Sequence, residues 1–399
     1  MPPSSLIETR SNAKNVCLSK ATQHNSGRTP YTFNEVTMAT QIFDAIKAEA
    51  FAEQVLGILN SGALALMTSI GHRTELFDTM AEMPPSTSQE IADAAGLNER
   101  YVREWLGAMV AGRFVEYNPA DKTYFLPAEH AAFLTRAAGS DNIAPFAQYI
   151  PLLASVEERI IDCFYKGGGV PYSEYKRFHE VMAEDSGQTI VSALFEHVLP
   201  LVPGLAESLQ RGITVLDVGC GSGRALNKLA QAYPNSRFVG YDFSEQAIAN
   251  ATTEATRRQL NNIEFRVQDA ATFDEPNSYD LITTFDAVHD QAHPDRVLRN
   301  IYNALRPGGV YLMQDIHAST DVGGNMEHPA APLLYTISCM HCMTVSLAAG
   351  GMGLGAMWGQ EKALQMLGEA GFKSVEIKRL AHDFQNDYYI LRKAEGEAA

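Results

Sequence analysis

The stretch Gly212-Ile213-Thr214-Val215-Leu216-Asp217-Val218-Gly219-Cys220-Gly221-Ser222-Gly223 decides the fold. Its first half is a short apolar run, the pattern of a strand buried on both faces. Alternating glycines follow at once, and then a helical pattern from about Ala225 to Tyr233, so the chain reads strand, glycine turn, helix. Gly219, Gly221 and Gly223 let the backbone come close to a ligand and take dihedrals that a Cβ forbids, while the N-terminus of the helix faces the same place. Such a unit cradles a nucleotide-like ligand.

The spacing selects which ligand. A dinucleotide fingerprint, G-x-G-x-x-G, would put its third glycine at Arg224, whereas the spacing here is G-x-G-x-G. Asp217, two residues before the first glycine, would repel a pyrophosphate but pairs well with the ammonium of an amino acid. The next apolar strand, 237–241, ends in Asp242 and Phe243, where a carboxylate accepts both hydroxyls of a ribose. A third strand, 263–267, ends in Gln268-Asp269-Ala270; Asp269 can accept from an adenine amino group and the Ala270 amide can donate to the ring. Three successive strand ends supply three parts of one ligand, and that ligand is S-adenosylmethionine. Phe285 and Asp286, at the end of a fourth strand, complete the expected cofactor contacts.

Upstream, residues 41 to 80 read as helix, with Phe43, Ile46, Phe51, Val55, Ile58 and Leu59 at near-3.6 spacing. Ser86 with Gln89 or Thr87 with Glu90 can form a capping box for a short helix that stops at Gly96; Asn98 starts another, with Val102, Leu106, Met109 and Val110 on one face. A hairpin with its turn at 118–121 follows, so the unit reads as a winged helix. Four Lys or Arg against nine Asp or Glu over residues 74–128 make a poor footprint for a duplex, which points to a scaffold or dimerisation role instead of DNA binding. Further on, Lys166-Gly167-Gly168-Gly169-Val170-Pro171 is a loop, and Tyr172 and Tyr175 just after it are candidates to reach over a ligand.

Composition narrows the rest. The chain has 399 residues, 46% apolar and 20% charged, which describes an ordinary globular protein of two or three domains. A formal net charge of −16 disfavours nucleic acid and anionic lipid surfaces as partners. Five cysteines, an odd number in largely apolar or glycine-rich settings, fit free thiols and an intracellular, cytoplasmic location. Residues 1–38 are rich in Ser, Thr, Asn and Gln, with no acid between Thr9 and Asn34; they read as a disordered extension, with a mitochondrial transit peptide as the less favoured alternative.

Through 215–223, Gly240-Tyr241-Asp242, Gln268-Asp269-Ala270, Tyr279-Asp280-Leu281-Ile282 and Leu305-Arg306-Pro307-Gly308-Gly309, the sequence resembles the class I S-adenosylmethionine-dependent methyltransferases. A winged helix placed before such a domain is similar to the arrangement in small-molecule O-methyltransferases. The resemblance implies an α/β fold: a Rossmann-like seven-stranded sheet with its last strand antiparallel, behind an N-terminal all-α and winged-helix domain. The expected domains are 39–200 and 201–399, with an insertion at 318–360, assembled as a homodimer through the N-terminal part. It also implies that His289, in the pair His289-Asp290, is the catalytic base, although Gln291 stands where that family has tryptophan. An imidazole, titrating near pH 6.5, suits removal of a proton from a hydroxyl, whereas a thiol ionises more easily and hardly needs a base.

The uncharged stretch between Glu327 and Glu361 is long enough for a membrane span, but its four glycines at 350, 351, 353 and 355 and its two histidines fit a lid over the acceptor better. Tyr335, Cys339 and Cys342 fall at i, i+4 and i+7, so one helical face carrying them, with Trp358 nearby, is expected to line the acceptor pocket. The two cysteines lack the further ligands that a tetrahedral metal site needs, so no metal is expected. The expected function is methyl transfer to the hydroxyl or thiol of a small acceptor. The rival is a winged-helix regulator that senses the cofactor without transferring its methyl group.

Overall fold

In the computed structural model, residues 43–396 are described; the expectations for residues 1–38 lie outside them. The described chain divides at residue 53: the part before it is helical from Ala45, and the part from residue 54 on is a second unit. In the second unit the winged helix forms as its caps dictate. Thr87 and Glu90 make the capping box of helix Ser88–Ala95, Gly96 ends that helix with a left-handed φ of 68°, and Asn98 caps helix Glu99–Ala111. The wing is a hairpin of β1 (Glu116–Asn118) and β2 (Thr123–Phe125). Phe77, Ile91, Trp105, Leu106 and Met109 form the core of this part, and Trp105 Nε1 donates to the Met67 carbonyl at 2.8 Å.

Seven further strands form one sheet: β3 (Thr214–Val218), β4 (Arg237–Asp242), β5 (Ile263–Val267), β6 (Tyr279–Phe285), β7 (Leu305–Ile316), β8 (Val375–Leu380) and β9 (Asp383–Arg392). Their order is β5-β4-β3-β6-β7-β9-β8, and β9 alone runs antiparallel, to both of its neighbours. Alternation splits the core into two layers, Leu216, Val218, Tyr311 and Met313 on one face of the sheet, Val215, Val310 and Leu312 on the other. The chain crosses from β4 and β5 on one side of β3 to β6 on the other, and the carboxyl ends of the strands at such a switch point leave a crevice for a ligand.

Two segments cover that crevice. Helix Ala331–Ile337, a π-turn over Ser338–Cys342 and helix Met343–Ala348 run on from one another in the stretch between β7 and β8. Ala331–Ala348 has the length and composition of a membrane span, yet 44% of its apolar window is buried inside the molecule. The loop at 167–169 docks on it: Val170 N donates to Thr344 Oγ1 at 2.8 Å, and a Cβ on Gly169 would lie 2.0 Å from the Thr344 carbonyl oxygen, so only glycine allows this approach.

Candidate functional site

At the end of β3, Gly219, Gly221 and Gly223 all take left-handed φ angles of 75°, 51° and 64°. The three do different jobs. A Cβ on Gly221 would meet nothing within 4 Å and Gly221 lines the cavity, so its missing side chain is room for a ligand. A Cβ on Gly223 would lie 2.5 Å from the Phe265 ring, and Gly223 lies on neither cavity wall; the structure makes it a packing glycine and not the expected cofactor contact. Asp242, at the end of β4, accepts from Gly221 N at 2.9 Å and from Ser244 N at 2.8 Å, one bond to each carboxylate oxygen. Each oxygen keeps a lone pair for a hydroxyl donor. Asp217 is 3% exposed and accepts from Thr283 Oγ1 at 2.7 Å, and burial pushes its carboxyl up to about 7.

The cavity has two connected ends, which share Tyr172, Gly219, Asp242, Phe243, Asp290 and Gln291. One end is lined by Gln268, Asp269, Ala270 and Ala271, among them the residues expected at an adenine. The other runs under the 331–348 segment, past Asp217, Phe285, Asp286, His289 and Cys342, to Tyr149, Phe178 and Ile337. Tyr172 therefore borders both ends.

His289 is 4% exposed, and its Nδ1 bonds Asp315 Oδ1 at 2.8 Å. The same Asp315 oxygen accepts from Trp358 Nε1 at 3.0 Å and from Ile316 N at 2.8 Å, so this carboxylate is fixed by three donors. Burial by itself lowers the imidazole's pKa, but the Asp315 charge, with a smaller contribution from Cys342, outweighs it and holds His289 well above the ordinary histidine value. Asp286 beside it has a left-handed φ of 49° and accepts from Gln314 Nε2 at 3.0 Å. Burial, then the charge of Asp315, push its carboxyl well above the usual range. One ligand atom each of Asp286, His289 and Asp315 lies within 4.8 Å of the others, so this cluster has the density a small cation needs; its His289 nitrogen and Asp315 Oδ1 already hold each other.

Several expected acceptor residues sit elsewhere. Tyr335 packs against the apolar cluster that holds Cys342, and Cys339 is not part of it. Cys342 lines the cavity, while Tyr335 accepts from Asn325 Nδ2 at 3.0 Å and Cys339 lies off both cavity walls. Tyr175 is buried with its hydroxyl on the Met340 carbonyl, tying the covering helix from behind. Trp358 holds Asp315 and does not line the cavity. Sequence reasoning missed Asp315, Tyr149, His341 and Asn386. Only Asp315 carried a signal, as the one charge in the largely apolar segment 310–316.

A sheet of this order, a G-x-G-x-G turn after its first strand and carboxylates at the next two strand ends define a class I methyltransferase fold, here behind a winged-helix domain. Two family models match the two parts: the Rv2258c-like winged HTH domain over residues 62–136 and the methyltransferase domain over residues 209–371. Among relatives, the chain is 26% identical over 172 residues to malonyl-[acyl-carrier protein] O-methyltransferase of Bacillus cereus, 41% of this chain and 58% of the relative. The chain thus spans little more than half the length of that curated relative. Human N-acetylserotonin methyltransferase in complex with SAM matches with TM-score 0.63 at 18% identity, covering 90% of this chain and 100% of that one. The mitomycin 7-O-methyltransferase matches with TM-score 0.63 at 18% identity, covering 88% and 100%. At these identities the likeness shows the fold.

Proposed function

We propose that the protein transfers a methyl group from S-adenosylmethionine to a hydroxyl of a small acceptor, with His289 as the base. The observation that carries this reading is the buried His289, held from behind by Asp315, on the wall of the cavity that Asp217, Gly221 and Asp242 also line. The likeness to O-methyltransferases over most of the chain supports it. The open space at Gly221 and the lone pairs left on Asp242 fit the cofactor.

S-adenosylmethionine supplies an electrophilic methyl group on a positively charged sulfur. Asp242 takes the ribose hydroxyls, Asp269 and the Ala270 amide the adenine edge, and ionised Asp217 the ammonium. The Nδ1 side of His289 is committed to Asp315, so Nε2 takes the acceptor proton. The Asp315 charge raises the His289 pKa, which strengthens Nε2 as a proton acceptor. Tyr172 and the 331–348 segment exclude water from the displacement. A turnover assay that detects S-adenosylhomocysteine, run on phenols and thiols with wild type and His289→Ala, tests the reading. Hydroxyl turnover that dies with the mutation supports it; turnover confined to thiols and indifferent to the mutation overturns it.

The same reading makes the protein an intracellular homodimer. Of the five cysteines, the four in the described region are free thiols. Leu56, Ile58 and Leu59 on helix Ala45–Arg73 are 60%, 60% and 65% exposed, an apolar stripe suited to a second copy. Light scattering at micromolar protein tests this, and a monomeric mass overturns it. On helix Glu99–Ala111, Arg100 pairs with Glu104 and Arg103 with Glu99, which leaves little free positive charge for a duplex and favours the enzyme over the regulator.

A further inference from the structure

Among the described residues, ten buried side-chain polar atoms have no hydrogen-bond partner, and four of them belong to residues that line this one cavity. They are both ring nitrogens of His341, Oδ1 of Asn386 and Oδ1 of Asp286. These residues come from the π-turn of the covering segment, from β9 and from the turn after β6, so the concentration is not a fault of one loop. An orphaned buried polar group costs stability, and it persists where a ligand completes it.

His341 is the sharpest case. It is 1% exposed, its ring stacks flat on Phe178 with centroids 3.6 Å apart and planes 6° apart, and Tyr172 and Tyr175 meet it edge-on. Packing dictates the shape of this side chain and makes no use of its nitrogens; phenylalanine would serve the packing as well. Burial, with the charges of His289 and His179, pushes its pKa well below the ordinary value, so the neutral ring offers one donor and one acceptor. Asn386 is 3% exposed, and its Nδ2 donates to both oxygens of Asp383 at 3.0 and 3.1 Å, which fixes its Oδ1 in orientation.

We propose that His341 and Asn386 form a polar subsite that recognises a second hydrogen-bonding group, a hydroxyl or an amine, on an aromatic acceptor. The inference rests on the hydroxyl-methylation reading above and names its substrate class. The surrounding wall, with Tyr149, Phe178, Phe285, Leu334 and Ile337, suits a flat ring. The orphaned oxygen of Asn386 requires a donor, so an O–H or N–H on the ring edge fits where a bare ring does not.

The test is titration calorimetry on the full chain saturated with S-adenosylhomocysteine, with catechol, 2-aminophenol and phenol as probes. The expected result is that catechol and 2-aminophenol bind about tenfold or more tightly than phenol, that His341→Phe erases this preference, and that His341→Gln, which keeps a donor and an acceptor, retains part of it. The melting temperature of His341→Phe is expected to stay level or rise, because the stack remains and the orphaned nitrogens are gone. Equal binding of the three probes by wild type, or no binding of any of them, overturns the proposal even if the variants fail to fold. A preference that survives in His341→Phe also overturns it, and a lowered melting temperature alongside would mark the residue as structural. Selective binding of catechol without its turnover leaves the subsite standing and overturns methyl transfer to such hydroxyls, so the two readings fail separately.

Discussion

At the cofactor end of the cavity, Gly221 N meets Asp242 across 21 residues of chain, and Asp242 meets Ser244 across two. At the acceptor end, His289 meets Asp315 across 26 residues, Trp358 meets Asp315 across 43, and Tyr175 reaches Met340 across 165. The carboxylates of the first end sit at the ends of neighbouring strands, with Thr283 holding Asp217 from the adjacent strand and Tyr172 and Val345 closing over them, so its chemistry rests mainly on strands in register. The second end is assembled from the ends of β6 and β7, the start of β9, helix Phe178–Ser186 and the covering segment. A locally built site tolerates divergence in the rest of the molecule, whereas an assembled one changes whenever any contributing segment shifts. One fold can therefore keep its cofactor and exchange its acceptors.

The contrast breaks first, if it breaks, at His289. His289→Ala is expected to lower turnover on a hydroxyl acceptor about 100-fold or more while leaving cofactor affinity unchanged; equal losses in kcat and in cofactor binding would mean the two ends are not separable. Next comes Asp315→Asn, expected to cost about tenfold or more in kcat by loosening the imidazole. Because Asp315 raises the His289 pKa, turnover should climb with pH on the basic side of neutrality in the wild type, and the amide variant should move that limb to lower pH. A pH–rate profile with the limb unmoved would dissolve the pair.

At the cofactor end, Asp242→Ala should weaken S-adenosylmethionine binding by about 1–3 kcal/mol, read by calorimetry, with no change in the acceptor's KM. Asp217 gives a pH signature. Burial raises its folded pKa to about 7, so its protonated form stabilises the free protein below the unfolded carboxylate value, and that contribution fades as pH rises toward 7. The cofactor's ammonium favours the ionised form. Binding near pH 6 should release a proton and tighten as pH approaches 7, and Asp217→Asn should abolish the release; proton uptake instead would remove Asp217 from the ammonium role. The smallest effects separate two glycines. Gly221→Ala should lower cofactor affinity more than stability, while Gly223→Ala, driven into the Phe265 ring, should do the reverse, as thermal melts with and without cofactor would show.

The difference in construction also sets how much could be read in advance. The G-x-G-x-G turn, Asp217, Asp242 and Asp269 could be named in advance because each lies at or just past the carboxyl end of its own strand, and the parallel register sets Asp217 opposite Gly240 and Thr283. Gly223 was misassigned because spacing does not tell a glycine that faces a ligand from one that faces a phenylalanine. The covering segment was legible as a lid from its lack of charge, but not its lining. Of Tyr335, Cys339 and Cys342 only Cys342 reaches the cavity wall, and no residue type at 338–342 announces the π-turn that interrupts the helix there.

By itself the sequence determined the sheet, the winged helix and the cofactor end, because apolar periodicity, caps and glycine spacing act over a few residues and need no partner to be interpreted. Tertiary structure alone decided that Asp315 and Trp358 stand behind His289, that Tyr175 ties the covering helix, and that His341 and Asn386 keep unpaired nitrogens and oxygen at one cavity. Those contacts join segments tens to hundreds of residues apart. Their partners are chosen by how whole elements pack, and no local pattern encodes that choice.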